Sequence, residues 1–282
     1  MQAYLDLGNR ILNEGEWVYN DRTGKRCLTV LQHHFDYDVS QGHIYLLTTK
    51  QSYWKKAIAE MLGYIRGYTS AEDFRALGTD TWDKNANENQ QWLNNPNRTG
   101  VDDIGRCYGA QGRDWKAPDG SSIDQLRTVY EHLRAGNDNR ILKVCFDNPG
   151  ERDLACLNAC MHTHTFSTIG GKLYLTSDQR SDDVPLGHGF NQVQVCWFLM
   201  VMAQITGLKA TNARHNIVNA HVYSDQIEPF KVQMQRTPFA PPKLWINPEI
   251  KTLEDLETWV TLDDFKIIGY EHHPAIKYNF SV

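Results

Sequence analysis

Cys160 stands two residues before His162 and four before His164, and Arg180, Ser181 and Asp183 follow the next apolar segment. A thiol becomes a nucleophile when a neighbouring cation favours the thiolate, lowering its pKa from about 8.5. Arg180 is the cation that a hairpin would bring alongside. The plainer alternative for Cys160 is a small buried hydrophobe. The alternation Cys160, His162, His164 would also put three donors on one strand face, a spacing that can ligate zinc. No fourth ligand or supporting carboxylate stands nearby.

For these side chains to meet, the chain must fold a hairpin and set it on a core. Residues 160–168 alternate in strand fashion, Gly170-Gly171 provides a turn, and 172–177 return, which predicts that hairpin. A polar loop over 178–191 leads into a helix running to about Leu208. Its residues Val193, Cys196, Trp197, Met200, Val201 and Gln204 recur at i, i+3, i+4, i+7, and its nearly all-round apolarity marks the central buried helix.

Upstream, alternation over 27–39 predicts a strand and 42–49 a second one. Ile58, Met61, Leu62 and Ile65 predict a helix that stops at Gly67, a suitable C′ glycine, with Glu60 beside the apolar stripe. The Asn/Gln-rich stretch 84–103 carries a proline and no period, so it reads as a surface loop or insertion. Residues 124–133 predict a helix leading through Gly136 into a strand at 140–146. With no internal repeat and no linker, one α+β domain over 1–282, a mixed sheet flanked by helices, is the expected architecture.

Composition narrows the function classes. The 282 residues are 41% hydrophobic and 22% charged, with a formal net charge of −5, an ordinary globular balance. Without a basic stripe the chain is not expected to bind nucleic acid through phosphates. The longest uninterrupted apolar run, 195–203, is nine residues, about half of what a bilayer requires. The N-terminus has neither a basic nor an apolar signal region, so a cytosolic location is expected. Six cysteines with no CxxC pair are then expected to be reduced thiols.

Ordered motifs along nearly the whole chain carry a resemblance. They are Asp21-Arg22-Thr23-Gly24, Thr48-Thr49-Lys50, the stretch from Glu60 to Gly67, Trp82-Asp83, Tyr108-Gly109 and the Cys160 region. More specific are Gln179-Arg180-Ser181-x-Asp183-Val-x-Leu-Gly187-x-x-Phe-Asn191, Ala220-His221-Val-Tyr223, Pro242-Lys243-Leu244 and the tail from Gly269-Tyr270 to Lys277. Together they resemble the thymidylate synthases and the related pyrimidine nucleotide hydroxymethylases.

The resemblance implies that Cys160 adds to C6 of a pyrimidine, turning C5 into a nucleophile towards 5,10-methylenetetrahydrofolate, with no metal. Arg22, Arg180 and Ser181 would hold the phosphate, with Gln179 also on the nucleotide. Arg140 would reach the phosphate of a second subunit, which makes the protein a homodimer. Asn191 would pair with the uracil edge and so favour dUMP over dCMP. His221 and Tyr223 would bond the 3′-hydroxyl, and Glu60 and Tyr108 would organise proton transfers through water. Asp183 would bind the pterin, with Lys50, Trp82 and Gly187 lining the folate side. Taken singly, Glu60 reads as a solvated helix charge, Tyr108 and Trp82 as core aromatics and His221 as a satisfied strand histidine.

This sequence departs from the family pattern in several places. The residues flanking the nucleophile are Ala159 and Met161 instead of proline and histidine. A common glutamine is Thr165, the first of two adjacent arginines is Asn139, and the second tryptophan of Trp-Asp-x-Trp is Asn85. Loss of that aromatic wall would loosen pterin stacking and admit water. The expectation is therefore 5-hydroxymethyl-dUMP as product, as in enzymes that phages use to modify DNA, with dTMP synthesis as the alternative. Cytosine-nucleotide activity or a non-catalytic nucleotide binder would be more distant outcomes.

Overall fold

The computed structural model describes residues 1–21 and 23–280. In chain order its elements begin with α1 (Gln2–Glu14), β1 (Glu16–Asn20), β2 (Lys25–Asp38), α2 (Trp54–Ile65), α3 (Ala71–Leu77), α4 (Asp83–Asn87), α5 (Gln90–Leu93) and α6 (Gly109–Arg113). They continue with the short pair β3 (Trp115–Lys116) and β4 (Ser122–Ile123), then α7 (Gln125–Arg134), β5 (Lys143–Cys145), β6 (Met161–Ile169), β7 (Lys172–Gln179) and β8 (Asp182–Asp183). The last are α8 (Gly189–Thr206), β9 (Lys209–Tyr223), α9 (Ile227–Met234), β10 (Lys243–Ile246), α10 (Leu253–Thr258) and β11 (Phe265–Ile268).

Among the described residues the main sheet has seven strands in the order β1-β2-β9-β7-β6-β5, with β8 also paired to β9. β7 runs parallel to β9, a pairing that needs a long connection. α8 supplies it and is buried along its length, Val193, Trp197 and Val201 fully so. Each such large apolar side chain stabilises the fold by about 1.5–3 kcal/mol. The fold is α+β, a mixed sheet flanked by helices around a central buried helix, as expected.

Local chemistry sets the ends of these elements. Gly170 and Gly171 take φ of +58° and +73°, the left-handed turn that closes the β6–β7 hairpin. Asp124 caps α7 by accepting the Arg127 N–H.

Several expectations are corrected. Residues 42–49 form no strand beyond a single bridge, His43 to Lys243. Ile44, Leu46 and Leu47 are all buried, so the segment packs against protein on both sides without joining a ladder. The 84–103 stretch is not a bare surface loop. It holds most of α4 and all of α5, and Trp92 is 2% exposed with its indole N–H donating to the Asp103 carbonyl at 2.6 Å. The strand expected at 140–146 shrinks to β5. The loop 178–191 instead contains the end of β7, all of β8 and a π-helical turn at Val184–His188.

Candidate active site

The hairpin register delivers Cys160 to Arg180. Met161 pairs with Gln179, and one step outward the Arg180 N–H donates to the Cys160 carbonyl at 2.9 Å. The Arg180 side chain then folds back over the nucleophile segment. Its Nε donates to the Ala159 carbonyl (3.0 Å), and its Nη2 donates to the Asn158 carbonyl (2.9 Å) and lies 3.7 Å from Cys160 Sγ. A guanidinium at that distance stabilises a sulfur anion.

Tyr108 holds the other side. Its hydroxyl accepts the Cys160 N–H at 2.8 Å, and its ring stacks on Tyr64 with centroids 4.7 Å apart. The Tyr108 backbone has φ +27°, a strained conformation for a non-glycine residue. Gly109 permits it, because a Cβ there would stand 2.8 Å from the Tyr64 backbone.

An amide chain runs inward from the hairpin. Gln179 Nε2 donates to the Ser181 carbonyl (2.8 Å) and to Asn191 Oδ1 (3.1 Å), while His215 Nε2 bonds Gln179 Oε1 at 2.7 Å. Asn191 Nδ2 donates to Gln194 Oε1 (3.2 Å), and Gln194 Nε2 donates to Glu60 Oε2 (2.6 Å). Thr81 Oγ1 donates to the other Glu60 oxygen at 2.7 Å. Burial still pushes the Glu60 carboxyl above its usual range, against the pull of those donors. Glu60 is therefore a buried, hydrogen-bonded acid and not the solvated helix charge it resembles in isolation.

β9 aligns the remaining nucleotide-side residues. His221 pairs across the sheet with Thr29 on one side and Asp183 on the other, and meets the Tyr223 ring edge-on at 5.2 Å. Arg180 and Ser181 line two adjoining cavities. The larger, about 880 Å³, also reaches Cys160 and Tyr223, and the other, about 490 Å³, reaches His221. Such volumes suit a nucleotide-sized ligand.

A second group lies deeper. Asp183 accepts from Gln226 at 3.2 Å through Oδ2, while its buried Oδ1 has no hydrogen-bond partner. Burial, reinforced by Asp182, pushes its carboxyl up to about 7. Burial lowers the Lys50 ammonium to about 8, and it sits 5.1 Å over the Tyr278 ring. Trp82 is 3% exposed and meets the rings of Tyr108 and Tyr64 edge-on at 5.7 and 6.3 Å. At Gly187 a Cβ would approach Asp182 Oδ1 and Asn191 Oδ1 to 3.3 and 3.6 Å. Asp183 and the nearby Lys50 offer a carboxylate acceptor and a cation, groups suited to the N–H donors and carboxylates of a folate.

One expected residue stands elsewhere, and one cannot be placed. Arg140 is exposed in a turn before β5, bonded through its backbone to Asp138, at the far end of β6 from Cys160. Arg22 lies outside the described residues. The zinc arrangement is not formed. A bulge between Met161 and Thr163 breaks the alternation, and His164 turns fully into the core to bond Ser177 at 2.8 Å. Among the described residues no three His, Cys, Asp or Glu side chains gather to hold a metal, and no helix is long and apolar enough to cross a membrane.

Comparison with known proteins agrees with this geometry. The family described as Thymidylate synthase matches residues 2–282. A thymidylate synthase of Haemophilus influenzae (strain PittEE) is 63% identical over 283 residues, covering 100% of both chains. Thymidylate synthases of Histophilus somni (strain 2336) and Pasteurella multocida (strain Pm70) are each 62% identical with the same coverage. These relatives do not support the hydroxymethylation and DNA modification expected from Asn85, and they favour the alternative. Trp82, the tryptophan that this sequence keeps, packs edge-on against Tyr64 and Tyr108. The chain belongs to the thymidylate synthase family and is a one-carbon transferase that uses 5,10-methylenetetrahydrofolate.

Proposed function

We propose that the chain converts dUMP to dTMP, with Cys160 as the nucleophile. The observation that carries this is the thiol 3.7 Å from the Arg180 guanidinium, with the preceding residue, Gln179, gripping the Asn191 amide. Addition of the Cys160 sulfur to C6 moves electron density onto C5, which can then form a carbon–carbon bond. When bound, 5,10-methylenetetrahydrofolate supplies the one-carbon unit and the hydride that completes the methyl group. Glu60 and Tyr108 guide removal of the C5 proton through water, and the sulfur leaves C6 as the ring double bond re-forms.

Acceptor-only groups orient the amides and favour uracil. The Glu60 carboxylate draws the Gln194 NH2, which turns the Gln194 carbonyl to Asn191. The Ser181 carbonyl draws the Gln179 NH2, which also reaches Asn191 Oδ1. Asn191 then offers a second lone pair to N3–H and a second hydrogen to O4, the pattern of uracil and the reverse of cytosine. In this proposal Arg180, Ser181 and Arg22 take the phosphate, His221 and Tyr223 the 3′-hydroxyl, and Asp183, Lys50, Trp82 and Gly187 the folate.

The working unit in this proposal is a homodimer in which Arg140 reaches the phosphate of a second copy. Its distance from its own site supports this, as do exposed apolar residues on the sheet strands, with Leu31 57% and Val218 56% accessible. The expected location is the cytoplasm, in keeping with reduced cysteines.

One assay tests both statements. Incubation with dUMP and 5,10-methylenetetrahydrofolate yields dTMP and dihydrofolate in equal amounts, and Cys160→Ala abolishes both. Mixing the Cys160→Ala protein with Arg140→Ala protein restores turnover that neither supports alone. A product heavier than dTMP by one oxygen would overturn the first statement, and an inactive mixture the second.

A further inference from the structure

Cys107 and Cys156 come from segments 49 residues apart, and their sulfurs lie 3.7 Å from each other. A bridge between Gly105 and Ala155 joins the two segments. Both thiols are buried, Cys107 at 2% and Cys156 at 6% exposure, and both are free. Each borders the reacting region from a different side. Cys107 directly precedes Tyr108, whose hydroxyl accepts the Cys160 N–H, while Cys156 lines the larger cavity together with Cys160. The Cys107 S–H is directed at the Ile104 carbonyl at 3.0 Å, which leaves the Cys156 thiol to donate to the Cys107 sulfur. Addition of Cys160 to a pyrimidine uses neither thiol.

We propose that Cys107 and Cys156 form a redox-responsive modification site, a dithiol that a peroxide entering through the cavity closes to a disulfide. With hydrogen peroxide, the Cys156 sulfur attacks as thiolate. An S–O bond forms, the O–O bond breaks, and the departing hydroxide takes up the proton that the thiol gave, leaving as water. The Cys107 sulfur then attacks the sulfenic sulfur. The S–S bond forms, the S–O bond breaks, and the second hydroxide leaves as water with the Cys107 proton. The two sulfurs together give up two electrons, and the peroxide accepts them. Contact with Cys107 and burial raise the Cys156 thiol pKa, so thiolate is scarce and the pair stays reduced without sustained oxidant.

A disulfide needs sulfurs about 2.05 Å apart, so one segment must move. The Cys156 backbone is anchored at both ends of its peptide unit: its N–H donates to the Ile104 carbonyl at 3.1 Å, and its carbonyl accepts from Asn89 Nδ2 at 2.9 Å. The Cys107 side yields, because oxidation removes the S–H that bonds the Ile104 carbonyl and because Tyr108 already sits at φ +27°. Drawing Cys107 towards Cys156 carries Tyr108 off the Cys160 N–H, and turnover falls. That effect rests on the roles proposed for Tyr108 and Cys160, whereas the cross-link itself does not.

The cross-link is read by mass. After hydrogen peroxide and non-reducing digestion, the full-length protein should show the peptides holding Cys107 and Cys156 joined, lighter by two hydrogens than the separate pair. Dithiothreitol should part them. This map needs no variant. Oxygenated Cys156 without the link would overturn the site, and so would both thiols left free once Cys160 is oxidised. Turnover is read after peroxide exposure with bound dUMP shielding Cys160. The treated parent should lose about tenfold or more, part of what aligned proton transfer contributes, and dithiothreitol should restore it. Cys156→Ala and, from the other side, Cys107→Ala should each keep their own untreated rate. An equal loss in these variants, or a linked parent with its full rate, would overturn the control of turnover. Should dUMP fail to bind or turn over at all, the functional assignment is what fails, and the peptide map still supports or overturns the cross-link.

Discussion

Glu60 can act as an acid or a base only through the protons its surroundings allow. Thr81 and Gln194 bond both of its oxygens, yet burial keeps the carboxyl above its ordinary range. Below that raised pKa the group is a neutral acid, and above it a carboxylate able to draw a proton through water. The rate in the parent enzyme is therefore expected to rise with pH through the raised value. Glu60→Gln should flatten that limb and lower kcat by roughly a hundredfold or more, within the usual range for general acid–base catalysis. A pH–rate profile of both proteins measures this, and a limb that survives the substitution would belong to another group. At this scale Cys160, Arg180 and Asn191 were legible because their types and order match one chemistry. Gln194 was not, although it stands three residues after Asn191 on one helix and is polar in an apolar run. Its other partner, Glu60, lies 134 residues away in sequence, and local spacing carries no trace of such a bond.

Elements bring these residues together through close approaches that composition conceals. α6 starts directly after Tyr108, and the tyrosine reaches Cys160 only because Gly109 lets the backbone ride against Tyr64. Gly109→Ala would place a Cβ 2.8 Å from the Tyr64 Cα and carbonyl oxygen, so one of the two segments must move. Such overpacking typically costs about 1–3 kcal/mol. The variant should melt several degrees lower and lose kcat as the Tyr108 bond to Cys160 opens. A thermal melt and a single-turnover assay test this, and parent values in both would mean that the contact relaxes freely. The β6–β7 hairpin and α8 were readable in advance, since a Gly-Gly turn and a long apolar run each permit few structures. Residues 42–49 misled because a run buried on both sides looks like a strand without owning a partner. α4 and α5, at five and four residues, are too short to show a period, and the burial of Trp92 follows from its bond to Asp103 and not from its neighbours.

Across the whole molecule the core face of the sheet carries imidazoles from separate strands. His164 on β6 and His215 on β9 are both fully buried. Burial lowers the His164 pKa to about 3 and, with neighbouring histidines, takes His215 well below its ordinary value. In the unfolded chain both protonate near 6.5. Between that value and the folded pKa the unfolded state binds more protons, so the stabilisation is complete above about pH 6.5 and is lost as pH falls. Each such histidine contributes a slope of about 1.4 kcal/mol per pH unit. Asp183, pushed up to about 7, has the opposite sign: the native state holds its proton, and that contribution is lost as pH rises through the folded value. Glu60, also raised, acts in the same direction as Asp183. The two signs separate by substitution. His164→Asn should reduce the dependence of unfolding free energy on pH between 6 and 4.5 by about 1.4 kcal/mol per unit, whatever it does to stability at pH 7.5. Asp183→Asn should steepen the fall on acidification, because it removes the opposing group. Denaturant unfolding at a series of pH values reads both slopes. An unchanged slope in His164→Asn would mean that the imidazole takes up its proton inside the folded core, against the desolvation imposed by Phe146 and Phe198, whose rings meet it at 5.5 and 5.2 Å.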